Sequence, residues 1–174
     1  MNVATLLRQY AKGDRDFGNA ELCHADLTRA NLSGVNLIRA KLSCAQLSHA
    51  NLSGAFLILA QLNRANLSGA MAIAVNFSGA NLQQADLSYS KLTEAILTGT
   101  KLQGANLANV NLQGAILAGA NLNSANLRQA DLRGANLYGA DLERADLSDA
   151  NLQNANLRGA NLTEAILPKQ PIEV

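Results

Sequence analysis

The chain has 174 residues, enough for one domain with a sizeable core, and its 14 basic and 13 acidic side chains leave a net charge of +1. That balance announces neither a basic nucleic-acid binder nor an acidic mimic. Apolar residues reach 48% while aromatics are only 3%, which excludes an ordinary mixed core and leaves one built from Leu and Ala.

Residues 3–12 read as a short amphipathic helix. Val3, Leu6, Leu7 and Tyr10 fall at i, i+3, i+4 and i+7, Asn2 suits the N-cap, and Gly13 suits the stop. Residues 1–14 are therefore expected to cap the open first coil of the repeat region beyond them, whose strand edges would otherwise be unpaired. A partner-binding helix is the weaker alternative, because capping uses up the apolar stripe. No long apolar segment of the secretory kind stands between Met1 and Arg15, and the longest apolar runs, Ala55 to Ala60 and Ala70 to Val75, are too short to cross a bilayer. With two cysteines and no visible leader, the expectation is reduced thiols, a cytoplasmic location and no membrane attachment.

From Phe17 to Leu167 every fifth residue is Leu or Phe, and of these 31 positions only Ala72 departs. Two residues before each stands a small residue. Of the 30 such places from Ala20 to Ala165, 25 are Ala; Val35, Val75, Ser90, Thr100 and Val110 are the exceptions. The residue between is usually Asn or Asp, as in Ala-Asn-Leu-Ser-Gly at 65–69. A period of five fits neither a helix nor an uninterrupted strand. It fits a short strand followed by a corner: Ala and Leu share the inner face, Asn points out, and the next two residues form the centre of a turn. The frequent Gly at the second of those places suits a type II turn, which needs positive φ there.

This A(D/N)LXX pattern resembles the pentapeptide-repeat family, in particular its cyanobacterial members, over Arg15 to Leu167. The resemblance implies an all-β fold, a right-handed quadrilateral parallel β-helix (a β-solenoid) with 20 residues and four repeats per coil. On that basis residues 15–167 make just under eight coils, a rod roughly 37 Å long at ~4.8 Å per coil. Burial of Leu, at ~1.5–3 kcal/mol each before entropy, is the main stabilising contribution. Ala72 is expected to leave a hole between Leu52 and Leu92, at a cost of ~2–5 kcal/mol, which Val75 fills in part.

With four repeats per coil, residues 20 apart stack. One face then gathers outward apolar residues: Ile38, Phe56, Ile58, Leu59, Ile96, Ile116 and Tyr138. These form the candidate interaction face, set against the plain alternative that scattered apolar residues are ordinary on a surface. The same face carries a corner column of Gly79, Gly99, Gly119, Gly139 and Gly159. Cys23, His24 and Cys44 fall near one another, with His49 one corner away, but no CxxC pair supports a metal site and exposed spectators are the favoured reading. No nucleotide fingerprint is present, and a filled rod offers no pocket for catalysis, so no cofactor and no enzyme activity are expected.

Pro168 and Pro171 end the repeat, leaving residues 168–174 as a tail. Either Ile172 and Val174 fold across the last coil, or a second copy of the chain shields it as a homodimer. The favoured function is a non-enzymatic scaffold for protein–protein interaction. Some members of the resembled family imitate duplex DNA and bind type II topoisomerases such as DNA gyrase. A ~37 Å duplex would present about 22 phosphates, whereas here 13 acids face 14 bases, so that alternative is disfavoured and no direct nucleic-acid binding is expected. An ice-binding surface would want Thr ladders, which Thr28, Thr93, Thr98 and Thr163 do not form.

Overall fold

In a computed structural model of the chain, the structure describes residues 1–169. Ile172 and Val174, candidates to cover the last coil, lie outside the described residues.

One helix, α1 (Val3–Ala11), opens the chain. The Asn2 side chain accepts a hydrogen bond from the Thr5 N–H at 2.8 Å, as an N-cap should. Gly13 then leaves the helix at φ +102°, a value that a residue with a Cβ rarely adopts. Leu6 is fully buried, and Val3 and Tyr10 pack partly against the core. Leu7 corrects the expected stripe: it is exposed, because a nine-residue helix lying on the rod makes contact along the narrow line 3–6–10. The Tyr10 hydroxyl donates to the Ser33 carbonyl at 2.8 Å, and the Met1 ammonium lies 3.4 Å from the Glu21 carbonyl. Two edge acceptors of the first coil are thus covered. The Arg15 guanidinium sits over the Tyr10 ring, 3.9 Å from its centroid, fixing the junction.

From Asp16 to Ile166 each outward Asn/Asp-type residue bridges in parallel to the residue 20 further on, beginning with Asp16 and Asn36 and ending with Asp146 and Ile166. The coil therefore holds four repeats per turn. Its sides are single bridging residues rather than extended strands, since only three residues separate one corner from the next. The Leu N–H and the last turn residue's N–H bond to the coil above, as Leu22 to Lys41 O at 2.7 Å and His24 to Ser43 O at 3.0 Å. The Asn/Asp-type N–H bonds to the coil below, as Lys41 to Ala20 O at 2.9 Å. Ala closes each turn, for example Ala25 N to Leu22 O at 3.1 Å.

At all 30 corners from Asn19 to Glu164 the second turn residue has φ between +52° and +73°, the type II signature. Only 11 of these residues are Gly; the other 19 hold a side chain in the left-handed region. The Leu and Ala columns are buried along the rod except at its ends, where Ala25, Ala30, Ala160, Leu162 and Ala165 are only partly buried and Leu167 is exposed. They form one core that α1 joins through Leu6. Ser90 and Thr100, polar intruders in the Ala column, are buried with their hydroxyls satisfied by the Leu87 and Phe77 carbonyls at 2.6 and 2.9 Å. Around Ala72, Val75 takes the place of an Ala and Phe77 the place of a Leu, and both are fully buried. Together they return more side-chain carbon to this part of the core than Ala72 removes.

Candidate functional site

The residue between Ala and Leu explains the local order of the surface. In every one of the 20 repeats with Asn or Asp there, its Oδ1 accepts the N–H of the first turn residue, as Thr28 N to Asp26 at 3.0 Å or Tyr138 N to Asn136 at 3.1 Å. This N–H is the only one of the five in a repeat that neither the coil nor the turn uses. The Asn or Asp is therefore a turn-builder. It also links coils sideways: Asn126 Nδ2 donates to Asn106 Oδ1 at 3.1 Å, and Asn106 Nδ2 to Asp86 Oδ1 at 3.0 Å. Sequence reasoning took this residue only as outward-pointing; its signal was the recurrence of Asn/Asp two residues before an otherwise unclaimed N–H.

On the candidate face this bond is missing where Phe56, Ile96 and Ile116 replace Asn or Asp. The N–H groups of Ile58, Thr98 and Ala118 have no partner among the described residues. Phe56 is 47% exposed, Leu59 45%, Ile116 40% and Tyr138 55%, whereas Ile38, Ile58 and Ile96 are half-buried. Ile96 and Ile116 bridge directly, and Asn76 separates them from Phe56. The structure thus brings the seven residues onto one side, but not into one unbroken stripe. Exposed apolar residues also stand elsewhere: Met71 and Ile73 on the preceding face, Tyr89, and Ile166 with Leu167 at the far end. The distinction of the candidate face is its charge. Over five coils, from Phe56 to Gly139, none of its fifteen outward residues is acidic or basic.

The glycine corner beside it is open. A Cβ built on Gly99, Gly119 or Gly139 would meet nothing within 4 Å, whereas at Gly79 it would meet Leu59 Cδ2 at 2.8 Å. Leu59 lies across the first glycine of the column and closes the ledge there.

The remaining surface is mostly polar and carries several ion pairs. Arg133 grips Asp131 with two bonds, Nε to Oδ1 at 2.9 Å and Nη2 to Oδ2 at 2.6 Å, which hold the Asp131 carboxyl below its usual range. Asp146 is lowered first by the Ser148 hydroxyl and further by Arg128 at 3.2 Å. Arg144 lies 2.6 Å from Glu164, which lowers that carboxyl, and 3.6 Å from Glu143. A shallow polar hollow of about 410 Å³ is lined by Asn63, Arg64, Asn81, Gln83, Gln84 and Gln103. Arg64 Nε donates to Gln84 Oε1 there at 2.9 Å. Cys23 and Cys44 are free thiols, and among the described residues no three His, Cys, Asp or Glu side chains converge as a metal site.

Comparison with known proteins matches the pattern described as pentapeptide repeats, in eight copies, over residues 16–54, 40–79, 60–99, 76–114, 105–144 and 140–168. Among solved structures the chain is similar to HetL, a pentapeptide repeat protein involved in heterocyst differentiation regulation from Nostoc sp. strain PCC 7120. Identity is 30% over 99% of this chain and 100% of HetL, with a TM-score of 0.46. It is also similar to Rfr23 from Cyanothece 51142, at 27% identity over 95% of this chain and 99% of that one, with a TM-score of 0.39. QnrB1, a plasmid-mediated fluoroquinolone resistance protein, shares 22% identity over 90% of this chain and 86% of its own, with a TM-score of 0.70, a likeness of fold. No curated protein matches the chain significantly.

Proposed function

Because the chain belongs to the pentapeptide repeat family, we propose that it is a non-enzymatic scaffold that docks a protein partner on the face carrying Ile38, Phe56, Ile58, Leu59, Ile96, Ile116 and Tyr138. The scaffold is a right-handed, four-sided parallel β-helix of just under eight coils, and its core is filled mainly by Leu and Ala, so its chemistry lies on its surface. One observation carries the reading. At Phe56, Ile96 and Ile116 the face gives up the turn-building Asn or Asp and exposes apolar carbon instead, within five coils free of outward charge. Interface centres are depleted of charge in this way. Sites where a repeat breaks its own local rule without structural gain are where function is expected. HetL is involved in heterocyst differentiation regulation, and a regulatory role exercised through protein contact is the kind extended here. Free Cys23 and Cys44 suit a reducing, cytoplasmic compartment.

The test is a pull-down from native cytoplasm with the wild type beside a variant in which Phe56, Ile58, Ile96 and Ile116 are made polar. Loss of a specific partner only from the variant supports the face; equal recovery removes it. Imitation of DNA toward a type II topoisomerase is disfavoured, because 13 acids face 14 bases in the whole chain and, in the most acidic stretch, Glu143, Asp146 and Glu164 are paired with Arg144 and Arg128. Potent inhibition of gyrase supercoiling would reverse that ranking. The C-terminal coil is the place for self-association, and sedimentation showing only an 18.3 kDa species at high concentration would end that part of the proposal.

A further inference from the structure

Resting on that docking face, we propose that its partner is an amphipathic α-helix carrying a carboxylate near each end of its apolar ridge. The uncharged stretch is bounded by two arginines. Arg39 precedes Leu59 on the corner column, Arg158 adjoins Gly159 at its far end, and both are exposed. Neither guanidinium has an ion-pair or hydrogen-bond partner among the described residues, in contrast to Arg128, Arg133 and Arg144. Asp16 lies one coil beyond Arg39 and is already engaged by the Asn36 amide at 2.9 Å. Lys101 and Asp141, across the glycine corner, carry opposite charges and select neither sign. The two free cations thus set the charge that a ligand along this face must bring to its ends.

The geometry points to a helix. Each bridging residue of the uncharged stretch already has its N–H and C=O paired with the preceding coil. The N–H groups of Ile58, Thr98 and Ala118, unpartnered among the described residues, recur no more than once per coil, every ~4.8 Å at the closest, out of step with the ~6.6 Å two-residue repeat of a strand's own groups. The flank therefore does not template an added strand. An occupant has to arrive with its own backbone satisfied. The open ledge over Gly99, Gly119 and Gly139, beside Ile96 and Ile116, lets such a cylinder approach the rod closely. Six coils separate position 39 from position 159, so the arginines stand ~29 Å apart at ~4.8 Å per coil. A helix rising ~1.5 Å per residue covers that distance in ~19 residues.

The test displays segments of about 20 residues against the full chain. Half the library follows a helical apolar period and half an alternating one, with both ends varied among Glu, Gln and Lys. The wild type is expected to enrich helical-period sequences with Glu at both ends. With Arg39→Glu and Arg158→Glu together, the preference turns to Lys, and the best wild-type binder weakens by about 2- to 30-fold at low salt. Enrichment of helical sequences indifferent to their ends would overturn the charge assignment and leave the docking face standing. Enrichment of the alternating half would overturn the helix. If a variant polar at Phe56, Ile58, Ile96 and Ile116 enriches the same sequences as the wild type, the face itself is wrong.

Discussion

Replacing Ala74 by Gly should stabilise the protein, and replacing Gly99 by Ala should destabilise it by a similar amount. Both stand at the second turn position, with φ of +52° and +61°. Holding a residue with a Cβ in the left-handed region costs ~1–2 kcal/mol, while Gly loses ~0.5–1 kcal/mol more in entropy on folding. The difference leaves ~0.5–1 kcal/mol in favour of Gly. Nothing else distinguishes the two sites. Ala74 is exposed, so its methyl group loses no burial, and its N–H keeps its bond to Thr93 O at 2.9 Å. A Cβ on Gly99 meets no atom within 4 Å, so no clash enters. At this chain length ~1 kcal/mol moves Tm by ~2–4 °C, which calorimetry resolves. Calorimetry also reports whether the coil unfolds as one unit, which solenoids do not always do. A neutral Gly99→Ala beside a destabilising Ala74→Gly would refute the view that left-handed strain at these corners is relieved by glycine.

Asn126→Ala should cost ~1–3 kcal/mol in urea denaturation, because Arg128 N–H and Asn106 Oδ1 each lose a partner at 3.1 Å. Ala72→Leu alone should cost ~1–3 kcal/mol by overpacking beside Phe77, with Ala72→Leu plus Phe77→Leu recovering most of it; a more stable single variant would reveal an unfilled hole. Asp131, Asp146 and Glu164 have lowered pKa values when folded, so their stabilisation is intact at neutral pH and is lost as pH falls from about 4 through those values. Arg133→Ala should flatten this acid limb of the Tm profile. Ile116→Asn supplies an acceptor for the Ala118 N–H and removes a side chain that is 40% exposed, so stability should change by less than ~1 kcal/mol while partner affinity falls; a large loss of stability would show Ile116 to be structural.

The fold was legible because one rhythm decides almost everything. Leu at every fifth place and Ala two before it define the buried columns, and Gly at the second turn place announces positive φ, which the structure extends to Asn19, His24 and Tyr89 alike. What stayed hidden was set by three-dimensional competition. Leu7 satisfies the helical spacing as well as Leu6 does, yet only the line of contact with the first coil decides which one is buried. Likewise the pattern placed Ile38, Ile58 and Ile96 beside Phe56, but how far each stands out depends on the neighbouring coils. The role of Asn and Asp was readable in principle from the unclaimed N–H two residues later, a bookkeeping step that periodicity alone does not prompt.

These turn bonds also explain how such a rod can evolve a binding surface with little loss of stability. The core is specified by residues pointing inward, and inter-coil backbone bonds are independent of side chains, so an outward Asn can be exchanged at the loss of one bond of ~1 kcal/mol. Eleven of the 31 repeats have made that exchange. Most chose Lys, Gln or Glu, which remain soluble and cost little more. Met71 and Ile166 stand singly on other faces. Phe56, Ile96 and Ile116 instead carry a second penalty, apolar carbon facing water, and all three stand on the same side of the coil. A side chain retained at two separate costs on one face, while its neighbours avoid charge, is best accounted for by a contact that offsets both.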